Sequence, residues 1–513
     1  MQKFRQLLLP TTSGVLMAWP WLDERAFAAA WAGLVLMMAV AVDQPPHIAF
    51  RRCLLAGMTG LGIAFHWFPQ VASSNLRISY FGGLTTATLG ITWDAFRFGV
   101  FGWVAAKINS RVGTRIFVWP VVWVALEWGW PHIFPWRLGT SQLGWLPVCQ
   151  IAEFTGVYGV SFLMIWVAAV VTVRLPQFPQ AVPLPAERSN RRLSLTRSEV
   201  ICGLIFTTVI AWGDWRIGNV EAMAAGSSTL KVALIQPGSP DINHLRRASK
   251  AVSDSVDLVV WPESCADDFS LALSSFRSLE EVREHSVYAD DSRPCHGLGN
   301  ALLCGGGSFP EGAMNDGPFF NTAFLVDANE EIVDRYHKRF LMPWGEYVVG
   351  QQWIPGVRSL LGDSNNQPGS SAAPLSCPGG PELGVLICYE DLLAEPVRQT
   401  TAEGAEVLLN LNNLSIFGKT PALYQHQQIA RFRAIEHRRV LLRCGVVGST
   451  AVICPTGRVT QQAPFHTTQT VISAAPLFTG LTFYVRWGDV FAYTCIVMTA
   501  VMCVNRSWRG GEE

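Results

Sequence analysis

Charged side chains are scarce in this chain of 513 residues: they make up 15% of it, and the formal net charge is zero. No run of Lys and Arg with interleaved aromatic residues is present, which excludes the electrostatic footprint of a nucleic-acid-binding protein. Half of the residues are hydrophobic, and 20 are tryptophan. This is too apolar for an ordinary soluble enzyme of this length. The composition therefore predicts lipid or apolar partners and no nucleic acid.

Metal and phosphate motifs are missing as well. The 10 His and 12 Cys residues show no CxxC or HExxH spacing, so we predict no metal site and no cofactor. The glycines Gly305 to Gly307 lack the downstream Gly-Lys-Ser/Thr of a phosphate loop. We interpret them as a turn that follows a strand.

Long apolar stretches bounded by charges are present, and they divide the chain. There are eight, at residues 6–22, 26–42, 53–76, 78–106, 116–136, 154–173, 200–213 and 490–505. Several are shorter than the roughly 20 residues of a spanning helix. Eight transmembrane helices is still the most economical prediction. Asp94 and Arg97, inside the fourth stretch, either pair on one helix face or mark a break.

The Lys and Arg residues alternate between successive loops of this topology. Fourteen lie at the two ends of the chain and in the second, fourth and sixth loops, whereas the short loops between them hold three. Under the positive-inside rule, both termini are cytoplasmic and the segment between helices seven and eight lies outside. The sequence thus predicts a multi-pass membrane protein; its placement in a bacterial inner membrane, with the outer segment in the periplasm, is implied by the family resemblance described below.

Three parts follow from this topology. Residues 1–218 form a membrane domain of seven transmembrane helices, and residues 487–513 form a last transmembrane helix with a cytoplasmic tail. Residues 219–486, about 268 in number, are enough to bury a core of their own, so we predict a periplasmic domain there. Residues 176–197, rich in Pro, Arg and Ser, are predicted to be a polar cytoplasmic loop.

The outer segment alternates short apolar runs with turn residues. Nine runs have the length and composition of buried strands: LKVALIQ, VDLVVWPE, ALLCGGG, NTAFLVD, EIVDRYHK, LGVLICYE, AEVLLNLNN, VLLRCGVVG and TAVICPTGRV. Residues 424–439 have apolar positions at helical spacing with basic residues opposite, which predicts an amphipathic helix. Strands mixed with helices indicate a layered α/β domain.

Three of these runs end in residues that can do chemistry: Glu263, Lys338 and Cys388. Taken singly, a strand cysteine is most often a packed core residue, and a Lys or Glu just past a strand is usually solvated. Together they supply a general base, a cation for a developing oxyanion, and a nucleophile whose thiol needs such help. The combination predicts acyl transfer through a thioester.

The same residues carry a family resemblance. Glu in WPE, Lys in YHK and Cys in CYE, in that order, resemble the Glu-Lys-Cys triad of the nitrilase superfamily. The stretches LMPWGEYV, QIARFRAIE, TFYVRWGD, LEWGWPHIFPWRLGTSQ and GVYGVSFL resemble its membrane-bound branch, the apolipoprotein N-acyltransferases. The resemblance implies an αββα sandwich domain beside a multi-pass α-helical membrane domain.

The resemblance also implies a reaction. Cys388 would take an acyl chain from a phospholipid, typically phosphatidylethanolamine, and pass it to the α-amine of a diacylglyceryl-cysteine at the N-terminus of an apolipoprotein. Glu263 would act as the base and Lys338 would stabilise the oxyanion. Glu346, Tyr389 and Glu390 match positions that support the site. We expect a monomer that meets both substrates in the bilayer.

Two loops depart from the family pattern, at residues 413–418 and 445–448, which leaves the donor or acceptor preference open. One alternative is a divergent membrane-bound nitrilase-like paralogue, such as those of conjugation systems, that acts on another amine or amide. Another is a transporter or structural membrane protein with a catalytically silent outer domain. A Cys-His hydrolase with His337 or His426 as base is the least favoured.

Seven cysteines fall in the outer segment: Cys265, Cys295, Cys304, Cys377, Cys388, Cys444 and Cys454. In an oxidising compartment they permit disulfides, but Cys388 must stay reduced to act as a nucleophile. The sequence does not choose between disulfide pairings and unpaired buried thiols. Cys265, two residues from Glu263, is also a candidate for the pocket wall.

Overall fold

The computed structural model describes residues 2–42, 44–112, 115–132, 134–175, 196–239, 241–266, 298–309, 319–343, 345–347 and 366–504. Most of the predicted polar loop 176–197 lies outside these residues, as do Cys295, Asp267 and Trp344. The chain forms two compact units. The first contains Met1–Ser73, Arg77–Gly218 and Trp487–Glu513, and the second contains Ser74–Leu76 and Asn219–Arg486.

The first unit is helical. Its helices are α1 (Gln2–Leu22), α2 (Phe27–Ala41), α3 (Pro46–Ala64), α4 (Phe68–Asn75), α5 (Tyr80–Val112), α6 (Arg115–Gly129), α7 (Leu146–Cys149), α8 (Ala152–Thr155), α9 (Val157–Arg174), α10 (Arg197–Ala225) and a last helix, Val490–Val504. Each of the eight apolar stretches therefore contains a helix.

Three helical segments of the described chain are long and apolar enough to cross a membrane: Glu24–Ala41, Val157–Arg174 and Arg197–Ala225. The pair α3 and α4, bent by 66° at its break, adds a fourth if it is one span. Leu7–Leu22, Ile116–Gly129 and Val490–Val504 are apolar but shorter. The helical, apolar character of this unit is confirmed, whereas the count of eight spans stays a prediction.

Asp94 and Arg97 lie on one face of the unbroken helix α5. The Arg97 guanidinium is 4.0 Å from the Asp94 carboxylate and 4.0 Å from the centre of the Trp136 ring, and the Trp136 indole N–H donates to Asp94. The contact between the two residues confirms the pairing alternative. Such a pair is expected physically, since a lone buried cation would have no counter-charge.

The described residues of the second unit contain twelve strands. They are β1 (Thr229–Gln236), β2 (Leu258–Val260), β3 (Ala301–Ser308), β4 (Phe320–Val326), β5 (Ile332–His337), β6 (Leu375–Ser376), β7 (Glu382–Ile387), β8 (Val407–Asn412), β9 (Leu441–Gly445), β10 (Ala451–Ile453), β11 (Val459–Gln462) and β12 (Gln469–Pro476). They form two mixed sheets, in the orders β12-β1-β2-β3-β4-β5 and β11-β10-β9-β8-β7-β6.

Three apolar clusters make these sheets a sandwich. Alternate residues of both sheets, such as Val232, Leu303, Val385 and Leu409, form the core between them. The other face of the first sheet packs on α11 (Ile242–Val252) through Leu245. The other face of the second packs on α12 (Ala394–Ala402) and α13 (Ala422–His437). The predicted αββα architecture is confirmed.

All nine predicted runs contain a strand, and three strands were missed. β6 has only two residues, β11 is a polar hairpin partner of β10, and β12 pairs along the edge of β1 with an interrupted burial pattern. An edge strand buries few of its side chains, so it carries little of the apolar signal that sequence patterns detect. Gly305 to Gly307 are strand residues of β3, so the predicted turn was wrong.

Helix α13 is present where predicted, but it is not amphipathic. Its residues from Gln425 to His437 are all buried. The basic face is covered by two later segments: Arg431 donates to Gly457 O at 2.7 Å, and the Thr482 hydroxyl donates to Glu436 O at 2.6 Å. Carbonyl groups replace water as partners of the polar side chains, which lets a polar helix face be buried.

Candidate active site

Strand β7 presents Cys388 at the carboxyl end of the second sheet. The chain leaves the strand in a 3₁₀ turn, Cys388–Leu392. Cys388 itself has φ +53°, a left-handed conformation that costs a non-glycine residue about 1–2 kcal/mol. The Ile387 N–H closes the turn by donating to Glu390 Oε2 at 2.8 Å. The half-buried thiol thus lies on a tight turn, out of line with the strand.

Glu263 lies three residues beyond β2, in the first sheet, and is 6% exposed. Its Oε1 accepts a hydrogen bond from Asn321 Nδ2 at 2.8 Å, and its Oε2 accepts one from the Asn413 N–H at 2.7 Å. Strand β3 approaches the backbone of Glu263 closely, because a Cβ on Gly305 would lie 2.7 Å from Glu263 Cα. The carboxylate is therefore held in one orientation by groups from three segments.

Lys338 follows β5, also in the first sheet, and its ammonium lies between two carboxylates. Its Nζ is 2.7 Å from Glu346 Oε2 and 3.7 Å from Glu263 Oε1. Burial disfavours the ammonium, but Cys388, Glu263 and Glu346 together raise the pKa of Lys338 above its ordinary value. The site consequently contains a permanent, almost fully buried cation.

The Glu263 carboxylate and the Lys338 ammonium both act on the thiol of Cys388. Burial, and after it the Glu263 carboxylate, raise the pKa of the Cys388 thiol well above its ordinary value, although Lys338 opposes them. The resting thiol keeps its proton, so attack on a carbonyl requires a nearby base. Glu263 is a carboxylate near enough to act on the thiol, and the neighbouring cation is suited to an oxyanion.

Glu390 connects the nucleophile turn to the segment that follows Lys338. It is fully buried and accepts hydrogen bonds from the N–H groups of Arg339 and Phe340, at 2.8 and 3.0 Å, and from the Tyr336 hydroxyl at 2.9 Å. Burial raises the pKa of Glu390, and its backbone donors oppose that rise. This carboxyl therefore fixes the spacing between the Lys338 and Cys388 segments.

The remaining predicted positions lie beside this cluster. Glu346 receives, besides Lys338, the Met342 N–H at 2.7 Å, which orients its carboxylate toward the ammonium. Tyr389 is buried next to Cys388. The structure thus joins Glu263, Lys338 and Glu346 by ion pairs, and the charges of all three act on Cys388. Glu390 bonds the segments that carry Lys338 and Cys388, and Tyr389 adjoins the cluster through the chain.

Three asparagines of the site were missed by sequence reasoning. Asn321 and Asn413 hold Glu263, and Asn410 Nδ2 donates to the carbonyl of Cys388 at 3.0 Å. For Asn410 a signal existed: it lies in VLLNLN, where every residue is buried, and a buried amide requires a partner. Asn321 and Asn413 carry no such signal, because Asn321 lies near the start of β4 and is only partly buried, and Asn413 follows β8.

Both loops that depart from the family pattern adjoin the base. Asn413 begins the loop 413–418, and its side chain caps the turn Leu414–Phe417 by accepting from the Ser415 N–H at 3.3 Å. In the loop 445–448, the Val446 N–H donates to Asn412 O at 3.2 Å. The loop 445–448 is therefore bonded to the residue directly before the loop 413–418, next to the backbone N–H that holds Glu263.

The histidines of the alternative hydrolase are engaged elsewhere. A ring nitrogen of His337 bonds the Thr322 hydroxyl at 2.9 Å, and Nδ1 of His426 bonds Arg443 at 2.8 Å. The described cysteines of this unit are free thiols: Cys265, Cys304, Cys377, Cys388, Cys444 and Cys454. Within the described residues, the geometry favours Glu263 as the partner of the thiol.

Comparison with known proteins matches both units. Residues 231–478 match the carbon-nitrogen hydrolase family, and residues 13–170 match the apolipoprotein N-acyltransferase N-terminal domain. A curated apolipoprotein N-acyltransferase of Geobacter metallireducens is 29% identical over 97% of this chain and 94% of its own length. Those of Methylococcus capsulatus and Vibrio cholerae are 27% and 24% identical over 99% and 93% of this chain, and 98% and 96% of their own.

The N-terminal family match lies in the helical unit, and the curated relatives extend over both units. A soluble carbon-nitrogen hydrolase would account only for residues 231–478. The chain belongs to the apolipoprotein N-acyltransferase family, the membrane-bound branch of the nitrilase superfamily.

Proposed function

We propose that this protein transfers an acyl chain from a phospholipid, by way of a thioester on Cys388, to the α-amine of the N-terminal diacylglyceryl-cysteine of lipoproteins. The observation that carries the proposal is the Glu263–Lys338–Cys388 cluster, in which a fixed carboxylate lies 3.7 Å from a buried ammonium and both act on the thiol. The family membership of the whole chain supplies the substrate classes.

The reaction has two balanced steps. In the first, the Cys388 sulfur attacks an ester carbonyl of the phospholipid while Glu263 takes the thiol proton, and Lys338 stabilises the tetrahedral oxyanion. The lysophospholipid oxygen leaves with the proton from Glu263. In the second, the lipoprotein amine attacks the thioester and gives its proton to Glu263, and the released sulfur of Cys388 recovers a proton.

The membrane arrangement that suits this reaction has eight transmembrane helices, seven within residues 1–218 and one within 487–513. Residues 219–486 then form a periplasmic catalytic domain, and both termini are cytoplasmic. Both substrates are anchored in the inner membrane, so a membrane-bound monomer meets them at high effective concentration. Phosphatidylethanolamine is the proposed donor.

The direct experiment is mass spectrometry of the purified full-length protein after incubation with phosphatidylethanolamine of one defined chain length. We expect a mass increase of one acyl group on the peptide that contains Cys388, and its loss when a diacylglyceryl-cysteine peptide is added. Cys388→Ala should carry no acyl group. Cys454→Ala is the matched control, because Cys454 is also a half-buried free thiol of the same unit and should leave acylation unchanged.

An acyl group on a different cysteine would overturn the site assignment. Complementation of a conditional N-acyltransferase mutant tests the acceptor separately. A well-expressed protein that forms the thioester but fails to complement would point to another amine as acceptor, and the departures at residues 413–418 and 445–448 would then be the first segments to exchange.

A further inference from the structure

A buried ion pair lies directly behind the nucleophile turn. Asp391, within that turn, and Arg443, on β9, are both fully buried, and Arg443 Nε donates to Asp391 Oδ2 at 2.8 Å. The other carboxylate oxygen, Oδ1, has no hydrogen-bond donor among the described residues. Asp391 is therefore oriented by the guanidinium of Arg443.

The other two nitrogens of the guanidinium reach different segments. Its NH1 donates to the Ser449 hydroxyl, and its NH2 donates to His426 Nδ1 at 2.8 Å. Since a guanidinium only donates, Nδ1 of His426 must accept, which places the ring proton on Nε2 and keeps the ring neutral. Arg443 thus joins the nucleophile turn, helix α13 and the loop that ends at Ser449.

That loop leads to the base. Ser449 has φ +65° and closes residues 445–449, where the Val446 N–H bonds Asn412 O at 3.2 Å. The next residue, Asn413, donates its N–H to Glu263 at 2.7 Å. The Arg443 guanidinium therefore contacts the turn that carries Cys388 directly, through Asp391. It is connected to the Asn413 N–H, which holds Glu263, through two backbone links.

Stability alone does not explain such a pair. A buried ion pair is often no more stabilising than apolar residues of the same volume, because both charges lose their water. The planar guanidinium of Arg443, in contrast, holds three partners, Asp391, Ser449 and His426, at fixed angles. Neither an apolar residue nor a lysine does this. The arrangement is therefore suited to positioning.

We propose that Arg443 is a positioning residue for acyl transfer, which sets the alignment of the Cys388 thiol with the Glu263 carboxylate through Asp391 on one side and Ser449 on the other. The inference rests on the proposed function in that Cys388 and Glu263 are its nucleophile and base. It goes beyond that function by placing the control of their alignment in a residue that touches neither.

The test uses the full-length protein and Arg443→Lys, which keeps the charge beside Asp391 but loses the fork. Arg439→Lys is the matched control, because Arg439 is also fully buried in this unit but donates to backbone carbonyls, including those of Ala405 and Gly480. We expect kcat of acyl transfer to fall about 10- to 100-fold with KM within about twofold for Arg443→Lys, since small misplacements cost that much. Arg439→Lys should keep the parental kcat.

A second measurement needs no lipid. The rate of Cys388 alkylation by iodoacetamide, followed by mass spectrometry across pH, reports how Glu263, Lys338 and Glu346 affect the ionisation of the thiol. Cys454 serves as the internal reference. Arg443→Lys should change the rate and pH profile of Cys388 alone. Ser449→Ala removes the hydrogen bond from Arg443 NH1 and keeps the ion pair with Asp391. It should change the alkylation rate of Cys388 in the same direction, but less.

Parental kcat and parental Cys388 alkylation in Arg443→Lys would overturn the proposal. An equal loss of kcat in Arg439→Lys would also overturn it, because the loss would then be a general effect of replacing buried arginines on folding. If the parent protein transfers no acyl chain at all, the proposed function fails, and the alkylation profiles still decide whether Arg443 positions the thiol. If Arg443→Lys does not fold, Ser449→Ala decides by the same two measurements.

Discussion

Replacing Lys338 by Met removes a cation that is paired with both the Glu263 and the Glu346 carboxylates, and leaves an unbranched apolar side chain in its place. At the separations of 2.7 and 3.7 Å, and an effective dielectric constant of about 20, the two attractions amount to about 6 and about 4.5 kcal/mol. Desolvation offsets most of this. The net cost of leaving a buried partner unpaired is about 3–5 kcal/mol.

A domain of this size loses roughly 2–4 °C of unfolding temperature per kcal/mol, so Lys338→Met should lower the unfolding temperature by about 10 °C. It should also lower acyl transfer by about 100- to 1,000-fold, the usual effect of removing one oxyanion-stabilising group. Adding Glu346→Gln removes one of the two carboxylate charges that have lost the ammonium of Lys338. The double variant should therefore recover part of the stability and none of the activity.

Thermal unfolding in detergent, followed by tryptophan fluorescence, measures the first effect, and transfer to a diacylglyceryl-cysteine peptide measures the second. Lys250→Met, at an exposed lysine of α11, is the matched control and should leave both unchanged. The reasoning is refuted if Lys338→Met unfolds at the parental temperature, or if Glu346→Gln destabilises the Lys338→Met protein further.

Two other predictions concern the surroundings of the site. A Cβ on Gly305 would lie 2.7 Å from both Glu263 Cα and Pro262 O, so Gly305→Ala should lower the free energy of unfolding by about 1–3 kcal/mol and reduce acyl transfer. Gly480→Ala is the control, because the space around Gly480 is open, and it should be neutral in both assays. Burial raises the pKa of Asp391 from 3.8 to about 6. Between about pH 4 and pH 6, the folded state therefore binds more protons at this group than the unfolded state does. The contribution of Asp391 to stability consequently falls as the pH rises through that window. The unfolding temperature of the parent relative to Asp391→Asn should therefore decrease from pH 4 to pH 6, and a constant difference would contradict the assignment.

The positions of the three proposed site residues relative to their strands were predictable from the sequence for a physical reason. Glu263 comes three residues after its strand, and Lys338 and Cys388 come directly after theirs. The strands β2 and β7 run parallel to neighbours in buried sheets, which are strongly apolar and easily recognised. A charged or reactive side chain just past such a run is therefore visible as a break in the pattern.

The partners that orient those residues were not predictable. Asn321 and Asn413 reach Glu263 because of how the first sheet lies on the second, and Arg443 finds Asp391 across two strands of one sheet. Such contacts depend on register and sheet packing, which apolar periodicity does not encode. Helix α13 failed for a related reason, since distant segments cover the face that its own pattern marks as polar.

The division of the site between the two sheets has a consequence for biogenesis. The proposed base and cation belong to the first sheet and the proposed nucleophile to the second, and residues from β1 to β12 complete the sandwich between them. A chain whose sheets have not yet joined holds an ordinary cysteine with no base beside it. With the proposed roles of these residues, capture of an acyl group requires that the two sheets have joined, so we expect that a newly made chain does not acylate itself prematurely.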